Sequence, residues 1–190
     1  MQSSLLTAIF AIAAIGFVLA CGLGTQTAEG NKLMDEANAL IADYNTDDAK
    51  TVPLMEEFGA MFATSSDRDF EDYKTKNKAK FDELVSLRAK MDKSVADAAA
   101  KMDQASKLKV ADKAKEYYIL KFQELSKSAE QDNALSAMMK SVLAATKIDE
   151  ATRLYQDWLK KNEDLKKEAD ALSSKAEQFA KDNPDVIKSN

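Results

Sequence analysis

Apolar residues recur along most of this chain in alternating steps of three and four. The last long stretch shows it most cleanly: Ile148, Ala151, Tyr155, Trp158, Asn162, Leu165, Ala169, Leu172, Ala176 and Phe179 keep the rhythm with one polar intruder, Asn162. Phe81, Leu84, Arg88, Met91, Val95, Ala98, Met102 and Ala105 repeat it, and Tyr118, Phe122, Leu125, Ala129, Asp132, Met139 and Leu143 follow it more loosely. Met34, Ala37, Ile41, Tyr44, Asp48, Thr51, Met55, Phe58 and Phe62 hold the same phase nearer the start. A period near 3.5 places one stripe of each helix against its neighbours, the pattern of supercoiled helices.

Breaks in the pattern divide the chain. No Gly or Pro occurs between Ala60 and Asn183, a stretch rich in the best helix formers. Ser66 with Asp69, and Thr146 with Asp149, resemble capping boxes with a shorter acid in place of Glu. Ser106 is a further candidate cap. These points predict an all-α fold, an antiparallel up-down-up-down four-helix bundle with helices at about 31–64, 67–105, 108–145 and 147–182 and a frayed tail at 184–190. Each helix is then roughly 55 Å long at 1.5 Å per residue, and short connections between equal helices suit that topology. Pro53 predicts a kink in the first helix, or two shorter helices joined by a loop at Asn45–Lys50.

The start of the chain follows a different pattern. Leu5–Ala20 is uncharged and apolar, shorter than the roughly 20 residues that span a bilayer, and it ends in small residues before the polar run Gly22–Thr27. It therefore reads as a signal peptide, residues 1–20. Val18-Leu19-Ala20-Cys21 resembles the lipobox of bacterial lipoproteins, with cleavage before Cys21 and a diacylglycerol on its sulfur. The resemblance covers this segment only. It implies a membrane anchor at Cys21, a flexible tether over residues 21–30 and, since Gly22 rather than Asp follows the Cys, an outer-membrane or periplasmic placement in a two-membraned bacterium. Two other outcomes fit the same residues: cleavage after Ala20 by ordinary signal peptidase, and an uncleaved anchor.

Composition narrows the chemistry. Of 190 residues, 45% are hydrophobic and 31% charged, which suits one folded helical domain. Lys and Arg number 27 against 32 Asp and Glu, with the signs alternating and not gathered into a block, so neither nucleic acid nor an anionic membrane surface is indicated. The absence of His removes the commonest general base and metal ligand, and a single Cys removes any disulfide within the chain. No cofactor, no metal and no enzymatic activity are expected. Ser106-Lys107-Leu108-Lys109 fits an S-x-x-K pattern, but the S-D-N and K-T-G partners are missing.

The polar residues inside the apolar stripes stand out. Asp48, Arg88, Asp132 and Asn162 fall near the middle of the expected bundle. They can form one polar layer that fixes register, turn outward by heptad drift, or hold an ion or ligand. Trp158, Tyr117, Tyr118, Phe122 and Tyr155 are expected as core and core-edge residues rather than a ligand patch. The functional expectation is a non-enzymatic cell-envelope lipoprotein acting as scaffold, spacer or docking module, with an envelope protein as partner and self-association as a variant. The alternative is a bundle that binds an amphipathic or small ligand between its helices.

Overall fold

A computed structural model describes residues 26–184, and those residues are helical with short connections. The elements are α1 (Thr27–Ala60), a 3-10 turn (Met61–Ala63), α2 (Asp67–Lys76), α3 (Lys78–Ser106), α4 (Asp112–Ala144) and α5 (Ile148–Asp182). Helix α1 packs along α3, α3 along α4, and α4 along α5. Ion pairs mark the register: Glu36–Lys101 and Glu57–Lys80 join α1 to α3, and Lys127–Glu168 joins α4 to α5.

Several local expectations change. Helix α1 begins at Thr27, so residues 27–30 are helix rather than tether. Gly30 is buried there, and a Cβ at this position would lie 2.7 Å from the Tyr118 hydroxyl. The glycine thus serves close packing of α1 rather than flexibility. Helix α1 also runs through Pro53 without a loop at Asn45–Lys50. The missing Pro53 N–H deprives only the carbonyl of exposed Ala49, which water can satisfy.

The segment expected as one helix from 67 to 105 is instead two, α2 and α3, parted at Asn77. Its side-chain nitrogen and backbone N–H both donate to the Tyr73 carbonyl, each at 3.1 Å. A short Asn side chain competing for backbone groups weakens helix continuation. The surrounding run, Lys74-Thr75-Lys76-Asn77-Lys78, offers no apolar side chain to hold the helix down. Helix α2 docks instead through fully buried Phe70, while Lys74 donates to the carbonyls of Leu143 and Ala145 at the end of α4.

The caps divide in the same way. Ser66 accepts from the Asp69 N–H at 3.2 Å and donates to its carboxylate at 2.7 Å, a reciprocal cap that starts α2. Thr146 does not cap α5. The first free N–H of that helix, on Ile148, donates to Asp67 Oδ1 at 3.0 Å, so a carboxylate from α2 does the work across the fold. Ser106 ends α3, its hydroxyl donating to the Asp103 carbonyl, and α4 begins only at Asp112.

The apolar interior is formed by two clusters. One gathers Met34, Ala37, Ile41 and Tyr44 with Met91–Ala105 of α3 and Ala114–Ala129 of α4. The other gathers Leu54, Phe58, Met61, Phe70, Phe81, Leu84 and Leu87 with Met138, Met139, Val142 and Trp158. The boundary falls between Leu87 and Met91 on α3, and between Ala129 and Met138 on α4.

Candidate functional site

The boundary between the clusters is occupied by charge. Arg88, from α3, is 4% exposed, and its Nη2 lies 2.5 Å from Oδ1 of Asp132 on α4, itself 7% exposed. One helical turn beyond Arg88, Asp92 sits 3.8 Å from the same Nη2. The Tyr44 hydroxyl of α1 lies against the Asp132 carboxylate, and Asp48, half-buried one turn later, feels both Arg88 and Asp132.

The electrostatics follow from three carboxylates facing one guanidinium. Burial pushes the Asp48 and Asp92 carboxyls above the ordinary aspartate range. The pull of Arg88 offsets only part of that for each, and Ser136 also favours the charge of Asp92. Burial works against the Arg88 charge, but the carboxylates of Asp132 and Asp92 outweigh it and the guanidinium is held more firmly protonated than usual. Tyr44 is driven strongly upward by burial, then by the Asp132 charge, and stays a neutral donor. The layer therefore carries a committed ion pair, Arg88–Asp132, and two carboxyls that resist ionisation.

Asn162 is 5% exposed on α5. It precedes Glu168 by nearly the interval by which Asp132 follows Lys127, and Lys127 pairs with Glu168, so Asn162 lies at the level of the layer. Among the described residues its Oδ1 has no hydrogen-bond partner, nor do Arg88 Nε, Gln131 Oε1 or Trp158 Nε1. The structure thus brings Arg88 and Asp132 into direct contact, couples Asp48 to them electrostatically, and holds Asn162 level with its Oδ1 unpartnered among the described residues. Cys21, the expected lipidation site, lies outside the described residues.

Tyr44 and Asp92 complete the layer. Asp92 had a readable signal, its i+4 spacing from Arg88. Tyr44 carried none, because a tyrosine in an apolar stripe looks like core. Helix α4 has a second buried stripe, Tyr117, Glu124, Ser128, Gln131 and Met138. Packing against both α3 and α5 explains it: a helix flanked on two sides buries two faces, which also loosens its apolar rhythm. The Tyr117–Phe179 stack, with ring centroids 6.2 Å apart, fixes that second face on α5.

The remaining candidates resolve simply. Trp158, Tyr117 and Tyr118 are buried, and Tyr155 and Phe122 are half-buried at the core edge. An open, shallow groove between α4 and α5 is lined by Phe122, Gln123, Ser126, Lys127, Glu130 and Leu172. Among the described residues no cluster of acidic or thiol side chains is arranged to hold a metal ion, and no helix is long and apolar enough to cross a membrane.

The chain matches no family model, no curated protein and no solved structure.

Proposed function

We propose that this chain is a non-enzymatic lipoprotein of the cell envelope, anchored through Cys21, whose helices run as an antiparallel up-down-up-down four-helix bundle and present a rigid surface to an envelope protein. The observation that carries the reading is the position of α1. Its first residue, Thr27, stands only a few residues after the lipobox-like Cys, and α1 then continues as a single helix to Ala60. At 1.5 Å per residue α1 is roughly 50 Å long, so it would hold the far end of the body about that distance from the bilayer. Such a geometry suits a spacer or scaffold. Self-association through exposed faces is the variant in which the docking partner is another copy.

A second reading keeps the open groove between α4 and α5 as a site for an amphipathic or small ligand. Phe122 and Leu172 provide apolar walls there, with Lys127 and Glu130 beside them.

Mass spectrometry of the mature N-terminus tests the anchor. An acylated Cys21, and membrane release of a Cys21→Ser variant, support the reading; an unmodified Cys21 in the mature protein overturns it. The scaffold role is tested by cross-linking in the native envelope. Capture of one envelope protein at stoichiometric yield is expected, whereas thermal stabilisation by lipids or metabolites with no protein captured favours the groove.

A further inference from the structure

The anchor and the fold together restrict which end of the molecule meets the bilayer. Gln26 Oε1 accepts a hydrogen bond from the Lys109 backbone N–H at 2.6 Å. That bond ties the connection between α3 and α4 to the residue that precedes α1. The chain from Cys21 to Gln26, even fully extended, reaches only about 18 Å. A lipid on Cys21 therefore keeps the 107–111 connection close to the headgroups, whatever path the intervening residues take.

That connection is basic and exposed. Lys107, Lys109, Lys113 and Lys115 are all exposed. Lys107 pairs with Asp103 at 2.5 Å, whereas Lys109, Lys113 and Lys115 form no ion pair among the described residues. Exposed Asp112 and Glu116 share the region and moderate its charge, Asp112 within the first turn of α4, where the helix dipole favours an acid. Val110 packs on the apolar cluster below and holds the connection in place. The overall composition hides this feature because signs alternate along the chain, while the fold puts these lysines at one end, beside the anchor.

We infer that the α3–α4 connection is a second membrane contact, in which Lys107, Lys109, Lys113 and Lys115 engage anionic phospholipid headgroups beside the acylated Cys21. This rests on the anchor reading above. The diacylglycerol holds the chain at the bilayer, and each lysine brought to an anionic surface adds about 1 kcal/mol of attraction that orients the body there. The contact would also fix the tilt of the body on the membrane, since a lipid alone leaves it free to swivel.

The test uses the full mature chain, purified in its acylated form and reconstituted into vesicles. An Ala111→Cys variant carries an environment-sensitive fluorophore, a Thr146→Cys variant carries the same label at the opposite end, and headgroup-attached spin labels act as quenchers. Clearly stronger quenching at position 111 in vesicles of phosphatidylglycerol and phosphatidylcholine than in phosphatidylcholine alone is expected, where only the tether holds the connection near the headgroups, and none at position 146. Changing Lys109, Lys113 and Lys115 to Gln should lower the equilibrium constant for headgroup contact by roughly fivefold per lysine, equivalent to about 1 kcal/mol each. About 0.5 M NaCl should weaken it in the unaltered chain as well, through screening. Equal quenching at position 111 in both lipids, or none in the anionic vesicles while the protein floats with them, overturns the membrane contact and leaves the anchor standing. A chain that neither floats nor carries an acyl group overturns the anchor, and this inference with it.

Discussion

The two apolar halves of the body are built differently. The half nearer the start of α1 is rich in buried alanine, with Ala37, Ala98, Ala99, Ala105, Ala114 and Ala129 beside the rings of Tyr44, Tyr117 and Tyr118, where the other half buries only Ala145 and Ala151. The other half packs rings: Phe58 stands edge-on to Phe62 and Phe81, with centroids 5.9 and 6.2 Å apart, and Tyr155 stacks on Trp158. Small residues let helix backbones approach one another, which is why Gly30 can lie directly on Tyr118. The rings of the other half are covered further by α2, whose Phe70 is fully buried among them. The charged layer between them is the joint. It fixes how the halves align, at a cost in stability relative to an apolar layer.

The comparison yields a ranked set of tests. Phe58→Ala, deep in the aromatic half, should cost about 3 to 5 kcal/mol in urea titration, and Met34→Ala in the other half about 2 to 5. A loss below about 1 kcal/mol at either position would show that the side chain is not packed in an interior. Lys74→Ala removes the charged donor that closes α4 and should cost roughly 1.5 to 3 kcal/mol, with faster amide exchange confined to α2 and the end of α4. Uniform acceleration of exchange would show that α2 is no local cover.

Gly30→Ala separates two opposing effects. Helix propensity favours the alanine by about 1 kcal/mol, and the clash with Tyr118 should exceed it, since overpacking costs about 1 to 3. A small net loss, reversed by adding Tyr118→Phe, is the expected outcome. A net gain for Gly30→Ala alone would mean that the helices there have room to move.

The smallest effect is the dependence on pH. Asp48 and Asp92 titrate higher in the folded state than in the unfolded chain, so the folded state binds their protons more tightly. Stability should therefore rise as pH falls from neutral through their raised values towards the ordinary aspartate value of about 3.9. Glu36, Glu57, Asp69 and Glu163 are shifted the other way by hydrogen bonds to Lys101, Lys80, Ser66 and Lys167 respectively, and their contribution is lost as pH falls below the ordinary carboxylate range. The result is a stability maximum in mild acid, checked by urea titration across pH. Asp92→Asn should flatten the rise on its neutral side, and an unchanged profile would remove Asp92 from the account.

What the sequence made legible was periodicity. The helical character of the chain followed from spacing and from the gap in Gly and Pro, and the polar residues in the stripes drew attention because they broke an otherwise apolar rhythm. The break at Asn77 was invisible because helix-forming residues flank it, and what ends the helix is a side-chain bond back to Tyr73 together with the lack of a buried anchor. The cap on α5 was misassigned to Thr146 because the acceptor, Asp67, comes from a distant segment that only the fold brings near. Tyr44 was hidden for the same reason: its role depends on which carboxylate faces it, and local pattern carries no such information.

The central claim is that Arg88 and Asp132 act as one buried unit joining two different apolar halves. A double-mutant cycle with Arg88→Met and Asp132→Leu measures this most directly by urea titration. Each single change should destabilise by about 3 to 5 kcal/mol, because it strands a buried charge, while the double change should cost far less or even stabilise. Single changes that are each near neutral, or that simply add in the double variant, would contradict it.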